Sequence, residues 1–168
     1  MSLQNEVQRF EQYVDEGEFK AVSIQEKLIE FHRAMNVPIL PTPQIPSDER
    51  VRLRARLVVE EVFEFLESCF PCCPGDIRQL KPMLASLIDV YTVGPVDLPA
   101  AADALADIAY VIEGANLEFG IDSGPVLDEV HRANMAKVGG PVRGDGKQLK
   151  PDGWTPPDIA GVLEKQKS

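Results

Sequence analysis

The run Glu60-Glu61-x-x-Glu64 is the segment best suited to chemistry. In a helix, at about 100° per residue, its three carboxylates fall within an arc of roughly 100°. Glu67 lies beside that arc, and no Lys or Arg is interleaved from Val58 to Phe70. Like charges at i, i+3 and i, i+4 each destabilise a helix by about 0.2–0.5 kcal/mol. An arc of one sign is therefore either a solvated face or a seat for positive charge. A second stripe holds Asp103 and Asp107, about 40° apart on a helical wheel, with Tyr110 and Gly114 near the same line. Ala101, Leu105, Ile108, Ile112, Ala115, Leu117 and Phe119 cover most of the remaining circumference, with Glu113 and Asn116 as exceptions. A helix apolar nearly all round belongs inside a bundle, where unpaired carboxylates are costly. Salt bridges to Arg52, Arg54 or Arg56, protonation, or a metal would relieve them. Facing carboxylate helices in a bundle form metal sites. Glu60, Glu61, Glu64, Asp103 and Asp107 make an oxygen-only donor set, which suits Mg²⁺, with Mn²⁺ as a substitute, over zinc. The Glu-x-x-His pattern of di-iron sites is absent, since neither His32 nor His131 stands three residues after a glutamate.

The elements that must position these groups are helices. Ser23 and Glu26 form an S-x-x-E capping box ahead of Ile24, Leu28, Phe31 and Met35. Between Val37 and Pro46, four prolines in ten positions impose an extended connector. Ser47 or Asp48 caps the next helix, which runs to about Phe70 and breaks at Pro71–Gly75. A further helix is expected from Lys81 to Tyr91 with Pro82 in its first turn, although Val90–Val93 also suits a short strand. A long helix follows from Leu98 to Phe119, ended by Gly120, and Ser123 caps a last one reaching about Lys137. Val7, Phe10 and Val14 suggest a short additional helix before Gly17. From Val138, repeated Gly and Pro interrupt any period. The expected fold class is all-α: a helical bundle domain over 1–137, with 1–21 as an N-terminal extension, and an irregular C-terminal arm over 138–168.

The chain has 168 residues, with 17 Lys+Arg against 27 Asp+Glu, a net charge of −10. That balance argues against nucleic-acid backbones and anionic membrane surfaces, but allows a small polyphosphate brought in with divalent cations. No window approaches the roughly 18 apolar residues of a membrane span. The polar, acidic first residues and the cluster Cys69, Cys72 and Cys73 point to reduced thiols and a cytoplasmic setting. A zinc site there lacks a local fourth ligand. Gly140–Lys147 misses the phosphate-loop spacing and follows no strand.

Taken together, these segments resemble a known family. Glu60-Glu61-x-x-Glu64 is similar to the EExxE signature of the all-α nucleoside triphosphate pyrophosphohydrolases, the MazG-like superfamily. That superfamily includes dimeric dUTPases and phosphoribosyl-ATP pyrophosphohydrolase. The segment from Asp103 to Gly114 resembles its second motif, Glu129–Lys137 the block closing the last core helix, and Asp145-Gly146-Lys147 through Pro157 the tail of small stand-alone members. The second motif is usually ExxD. Here Ala104 stands three residues before Asp107 and the acid falls at Asp103.

The resemblance implies Mg²⁺-dependent hydrolysis of a (d)NTP to the monophosphate and pyrophosphate, a house-cleaning activity. Glu60, Glu61, Glu64, Asp103 and Asp107 would hold the ions. Glu60 or Glu61 would orient or deprotonate the attacking water. Asn134, Lys137, Arg132 and Lys147 would contact phosphates, and Tyr110 would stack on a base or hydrogen-bond a ligand. It further implies a homodimer or larger homo-oligomer, because the bundle from one chain is thin. Phosphoribosyl-ATP is a second candidate substrate, although the aromatic-histidine pair of that branch is missing where Val111 follows Tyr110. A rival from another class is a non-catalytic helical interaction module that kept the bundle and lost a ligand at Ala104.

Overall fold

The computed structural model describes residues 22–71, 74–144 and 147–167. Helices α1 (Ile24–Ala34), α2 (Asp48–Cys69), α3 (Pro74–Val90), α4 (Leu98–Glu118), α5 (Ser123–Met135) and α6 (Ile159–Lys165) follow in order. Among the described residues there is no strand, only an isolated antiparallel bridge between Val142 and Gln148. The fold is all-α. The expected helix at Val7–Val14, together with Cys72, Cys73, Asp145 and Gly146, lies outside the described residues.

The capping box forms as its spacing dictates. Ser23 Oγ accepts from the Glu26 amide at 3.2 Å, and Glu26 Oε2 accepts from the Ser23 amide at 2.8 Å. The chain leaves α1 through Asn36 at φ 52°, a left-handed conformation that asparagine tolerates. The proline connector then runs to Ser47, the N-cap residue of α2.

Helices α2 and α3 make the most extensive helix–helix packing. Arg52 Nη2 donates to Tyr91 O at 3.0 Å, Arg56 pairs with Asp89, and Lys81 Nζ lies 3.4 Å from Glu64 Oε1. One number in each pair rises as the other falls, so the two helices run antiparallel. The inner face of α3 is Ile77, Lys81, Ala85 and Ile88, half-buried at helical spacing. This face explains why α3 begins at Pro74 rather than near Pro82, as the sequence suggested. The apolar period continues through the proline. Pro82 is exposed and lies off that face. Val90–Val93 forms no strand.

Helix α5 packs against α1 and α6. Asp122, rather than Ser123, is its N-cap, accepting from the Gly124 amide at 3.0 Å. Ser123 Oγ instead donates to Glu113 at 2.9 Å. The arm folds back over the end of α5. Trp154 Nε1 donates to Ala133 O at 2.7 Å, and Ala133 is 2% exposed. A Cβ at Gly140 would stand 2.8 Å from Leu149 O and 3.0 Å from Lys137 O, so only glycine permits this close backbone approach. Asp158 caps α6, accepting from the Gly161 amide at 3.0 Å.

The core of one chain is small. Met35, Leu53, Phe63 and Ala133 are the buried apolar side chains among the described residues. Helix α4 has no packing against another helix comparable to the pairs above. Every residue from Ala102 to Glu113 is exposed. Its one described aromatic anchor is Phe119, set edge-on to Phe65 of α2 with centroids 6.4 Å apart and planes at 86°.

Candidate active site

The acidic face of α2 draws positive charge from three other elements. Glu60, its side chain 17% exposed, pairs with Lys147 and, at 3.5 Å, with Arg143, both from the arm. Burial alone would raise the Glu60 pKa, but the hydrogen bond and charge of Lys147, with help from Arg143, hold it below the usual carboxylate value. Glu64 faces Lys81 of α3. Glu61 makes no hydrogen bond or ion pair among the described residues. Its charge acts on Lys137, just past the end of α5.

Lys137 belongs to a second, cationic cluster. Its Nζ donates to Asn134 Oδ1 at 2.7 Å and lies 5.7 Å from the centroid of the Trp154 ring, over which Lys150 also sits at 4.5 Å. Burial, then the neighbouring Lys150 and Lys147, lower the Lys137 pKa against the pull of Glu61. Asn134, Lys137 and Lys147 are thus gathered beside Glu60 and Glu61. In the sequence, Trp154 falls within the segment ending at Pro157 that resembles the tail of small stand-alone members. Its role as the platform beneath two lysines was signalled only by a lone tryptophan in a Gly/Pro-rich arm.

Arg132 is engaged elsewhere. It grips Glu129 through Nε and Nη2, at 2.8 and 2.7 Å, and reaches Pro156 O at 3.5 Å. Glu129 also accepts from the Asp158 amide at 2.8 Å. These bonds, that of Arg132 first, hold its pKa down to about 2. In this arrangement Arg132 fastens the arm to α5.

The α4 residues are not brought to this site within one chain. Asp103, Asp107 and Tyr110 are all exposed, Tyr110 at 83%. Arg52, Arg54 and Arg56 bond to Tyr91 O, His32 and Asp89 respectively, none of them an α4 residue. Helix geometry sets the separation. Asp107 lies twelve residues, about 18 Å of helix rise, from the Phe119 contact, while Glu61 lies four residues, about 6 Å, from Phe65. For helices side by side, the two acids are therefore at least about 12 Å apart along the axis. Consistently, no three Asp, Glu, His or Cys side chains among the described residues are grouped to hold one metal ion.

The α2 face nevertheless fits a hard divalent cation in its chemistry. Its donors are carboxylate oxygens alone, and ammonium and guanidinium groups already stand against them.

An all-α chain with an EExxE face and lysines gathered beside it fits a class, the all-α pyrophosphohydrolases. Residues 28–134, well over half the chain, match the model of the phosphoribosyl-ATP pyrophosphohydrolase family. The chain belongs to that family, and it is a hydrolase acting on phosphoric anhydride bonds. No curated protein matches the sequence. The matched span holds both acidic stripes and ends at Asn134, so Lys137, Lys147 and Trp154 lie beyond it. No described helix is long and apolar enough to cross a membrane.

Proposed function

We propose that the protein is a cytoplasmic, Mg²⁺-dependent enzyme that cleaves a (d)NTP to the monophosphate and pyrophosphate. The observation that carries this reading is the α2 acidic face, lying within the family match and compensated by cations from the arm, α3 and the end of α5. Glu60, Glu61 and Glu64 would hold divalent ions, which supply the charge needed to admit a polyphosphate and to stabilise its leaving group. Glu60 is committed to two cations with a depressed pKa, which makes it a weak base. Glu61 carries no such bond and is the better group to orient and deprotonate the attacking water. Lys137, held by Asn134, and Lys147 would take phosphate oxygens, and Tyr110 would contact the base.

Asp103 and Asp107 would join the site through a homodimer. Leu105, Val111, Leu117 and Phe119 on or beside α4 are each at least 60% exposed, and Val62 and Phe65 of α2 are open as well. A second copy would cover these faces and carry α4 toward a neighbouring acidic face. Light scattering showing a monomer at working concentration would remove this part of the reading.

The family match favours a second reading, phosphoribosyl-ATP as the substrate. One experiment tests both: a panel of NTPs, dNTPs and phosphoribosyl-ATP with Mg²⁺, read by pyrophosphate release. Turnover of dUTP or dCTP supports the first reading, and turnover of phosphoribosyl-ATP alone the second. Pyrophosphate release from none of them overturns both.

A further inference from the structure

Away from the acidic face, two basic side chains meet with no carboxylate between them. Arg54 Nη2 lies 2.9 Å from His32 Nε2, and His32 Nδ1 lies 3.1 Å from Pro38 O. A carbonyl only accepts, so Nδ1 carries the proton and Nε2 receives the Arg54 N–H. The ring is thus neutral and fixes one edge of the guanidinium, while tying the proline connector to α1 and α2. Arg50, one turn before Arg54, shares its helical face, and its charge acts on both partners.

No carboxylate is bonded to Arg50 or Arg54 among the described residues. Glu26 closes the Ser23 capping box and Glu30 lies 3.3 Å from His131, while Asp48 and Glu49, in the first turn of α2, form no ion pair with either arginine. In a chain of net charge −10, two arginines left together without a counter-charge have a physical cost that a bound anion would offset. Burial, with Arg50 adding to it, lowers the Arg54 pKa, and burial followed by Arg54 and Arg50 lowers that of His32.

We propose that Arg50, Arg54 and His32 form an oxyanion site that takes a phosphate group, distinct from the acidic face. Two guanidinium forks on one helical face match the charge and the several oxygens of a phosphate better than those of a single carboxylate. Arg54 lies seven residues before Glu61, about 10 Å along α2, and within roughly 20° of it on the wheel. A phosphate bound here would stand on the same stripe as the hydrolytic face without touching it. Its source is either free phosphate or a phosphomonoester on a substrate, remote from the bond being cleaved.

The test is calorimetric titration of the full chain with inorganic phosphate in the absence of divalent metal, with the His32 ring resonances followed by NMR. The wild type binds, and its His32 signals shift. R54Q and R50Q each weaken binding about tenfold, the loss expected for one charge-assisted hydrogen bond. R50Q removes no hydrogen bond seen in the fold, so it serves if R54Q loosens the connector. K167M, at an exposed lysine outside both sites, leaves the affinity unchanged. No binding by the wild type, or unchanged binding in both R50Q and R54Q, overturns the proposal. For the source, KM is compared for ATP and for adenosine 3′-phosphate 5′-triphosphate. A rise in R50Q for the second nucleotide alone assigns the site to substrate, and no rise assigns it to free phosphate. Because the binding assay needs neither metal nor turnover, its outcome is separate from that of the nucleotide panel.

Discussion

Glu60 on α2 and Asp107 on α4 are carboxylates on helices of similar length, 22 and 21 residues, yet their surroundings differ. Glu60 is largely covered, its side chain 17% exposed, and is answered by Lys147 and Arg143 from a segment more than eighty residues away. Asp107 is exposed on a helix whose apolar residues are exposed with it. The contrast separates a face whose charge is compensated within one chain from a face that no other helix of the same chain covers. Residue type does not distinguish them. What distinguishes them is whether another element packs alongside and brings counter-charges with it.

The comparison is tested most severely at Glu61. Under the proposed reading, E61Q lowers turnover by about 10²–10⁴-fold, the range for loss of a positioned base. Its circular dichroism should stay that of the wild type. Unchanged rates in the nucleotide assay would remove Glu61 from the mechanism. If α4 completes the site only in a dimer, V111D, at a position 68% exposed in one chain, shifts the protein to monomer by light scattering. It then lowers activity at least tenfold, while leaving Mn²⁺ binding to the α2 face measurable. Activity retained in a monomer would break the comparison.

Smaller effects probe the compensated side. K147M removes a cation that competes for Glu60. Without nucleotide, Mn²⁺ affinity followed by electron paramagnetic resonance should rise several-fold, and KM for the nucleotide should rise as well. W154F deletes the indole N–H bond to Ala133 O while keeping an apolar ring. Loss of one hydrogen bond, about 1 kcal/mol, lowers Tm by roughly 2–4 °C in a chain of this size, measurable by calorimetry. Acid acts on the arm through Glu129. Its folded pKa is depressed, so its stabilising contribution is complete above the ordinary value of 4.5 and is lost as pH falls toward about 2. Trp154 fluorescence should therefore be flat at neutral pH and change only below pH 4.5.

Much of the helical order was legible locally. The Ser23–Glu26 box, the proline connector, the acidic arc of α2 and the long apolar helix at Leu98 follow from short-range rules, and the structure follows them. The departures occur where distant contacts override a local signal. Pro82 marks no helix start, because the face of Ile77, Lys81, Ala85 and Ile88 against α2 continues through it. Ser123 yields the capping role to Asp122 because its hydroxyl bonds Glu113. Helix α6 was hidden by the surrounding Gly and Pro, although Asp158 is an ordinary N-cap. Arg132, read as a phosphate contact, is bonded to Glu129, a partner one helical turn away that the sequence alone did not single out.

By itself, the sequence determined the helical class, the two carboxylate stripes and the hydrolase family, because side-chain period and residue chemistry are properties of contiguous segments. Only the tertiary structure decided which carboxylates meet cations, that Trp154 seats two lysines, and that Arg54 faces His32 rather than an aspartate. The Arg54–His32 and Glu60–Lys147 pairings join residues 22 and 87 positions apart, and the Lys81–Glu64 pairing residues 17 apart. Which side chains meet over such distances depends on how the helices pack, since a Coulombic or hydrogen-bonding partner is selected by proximity in space rather than along the chain.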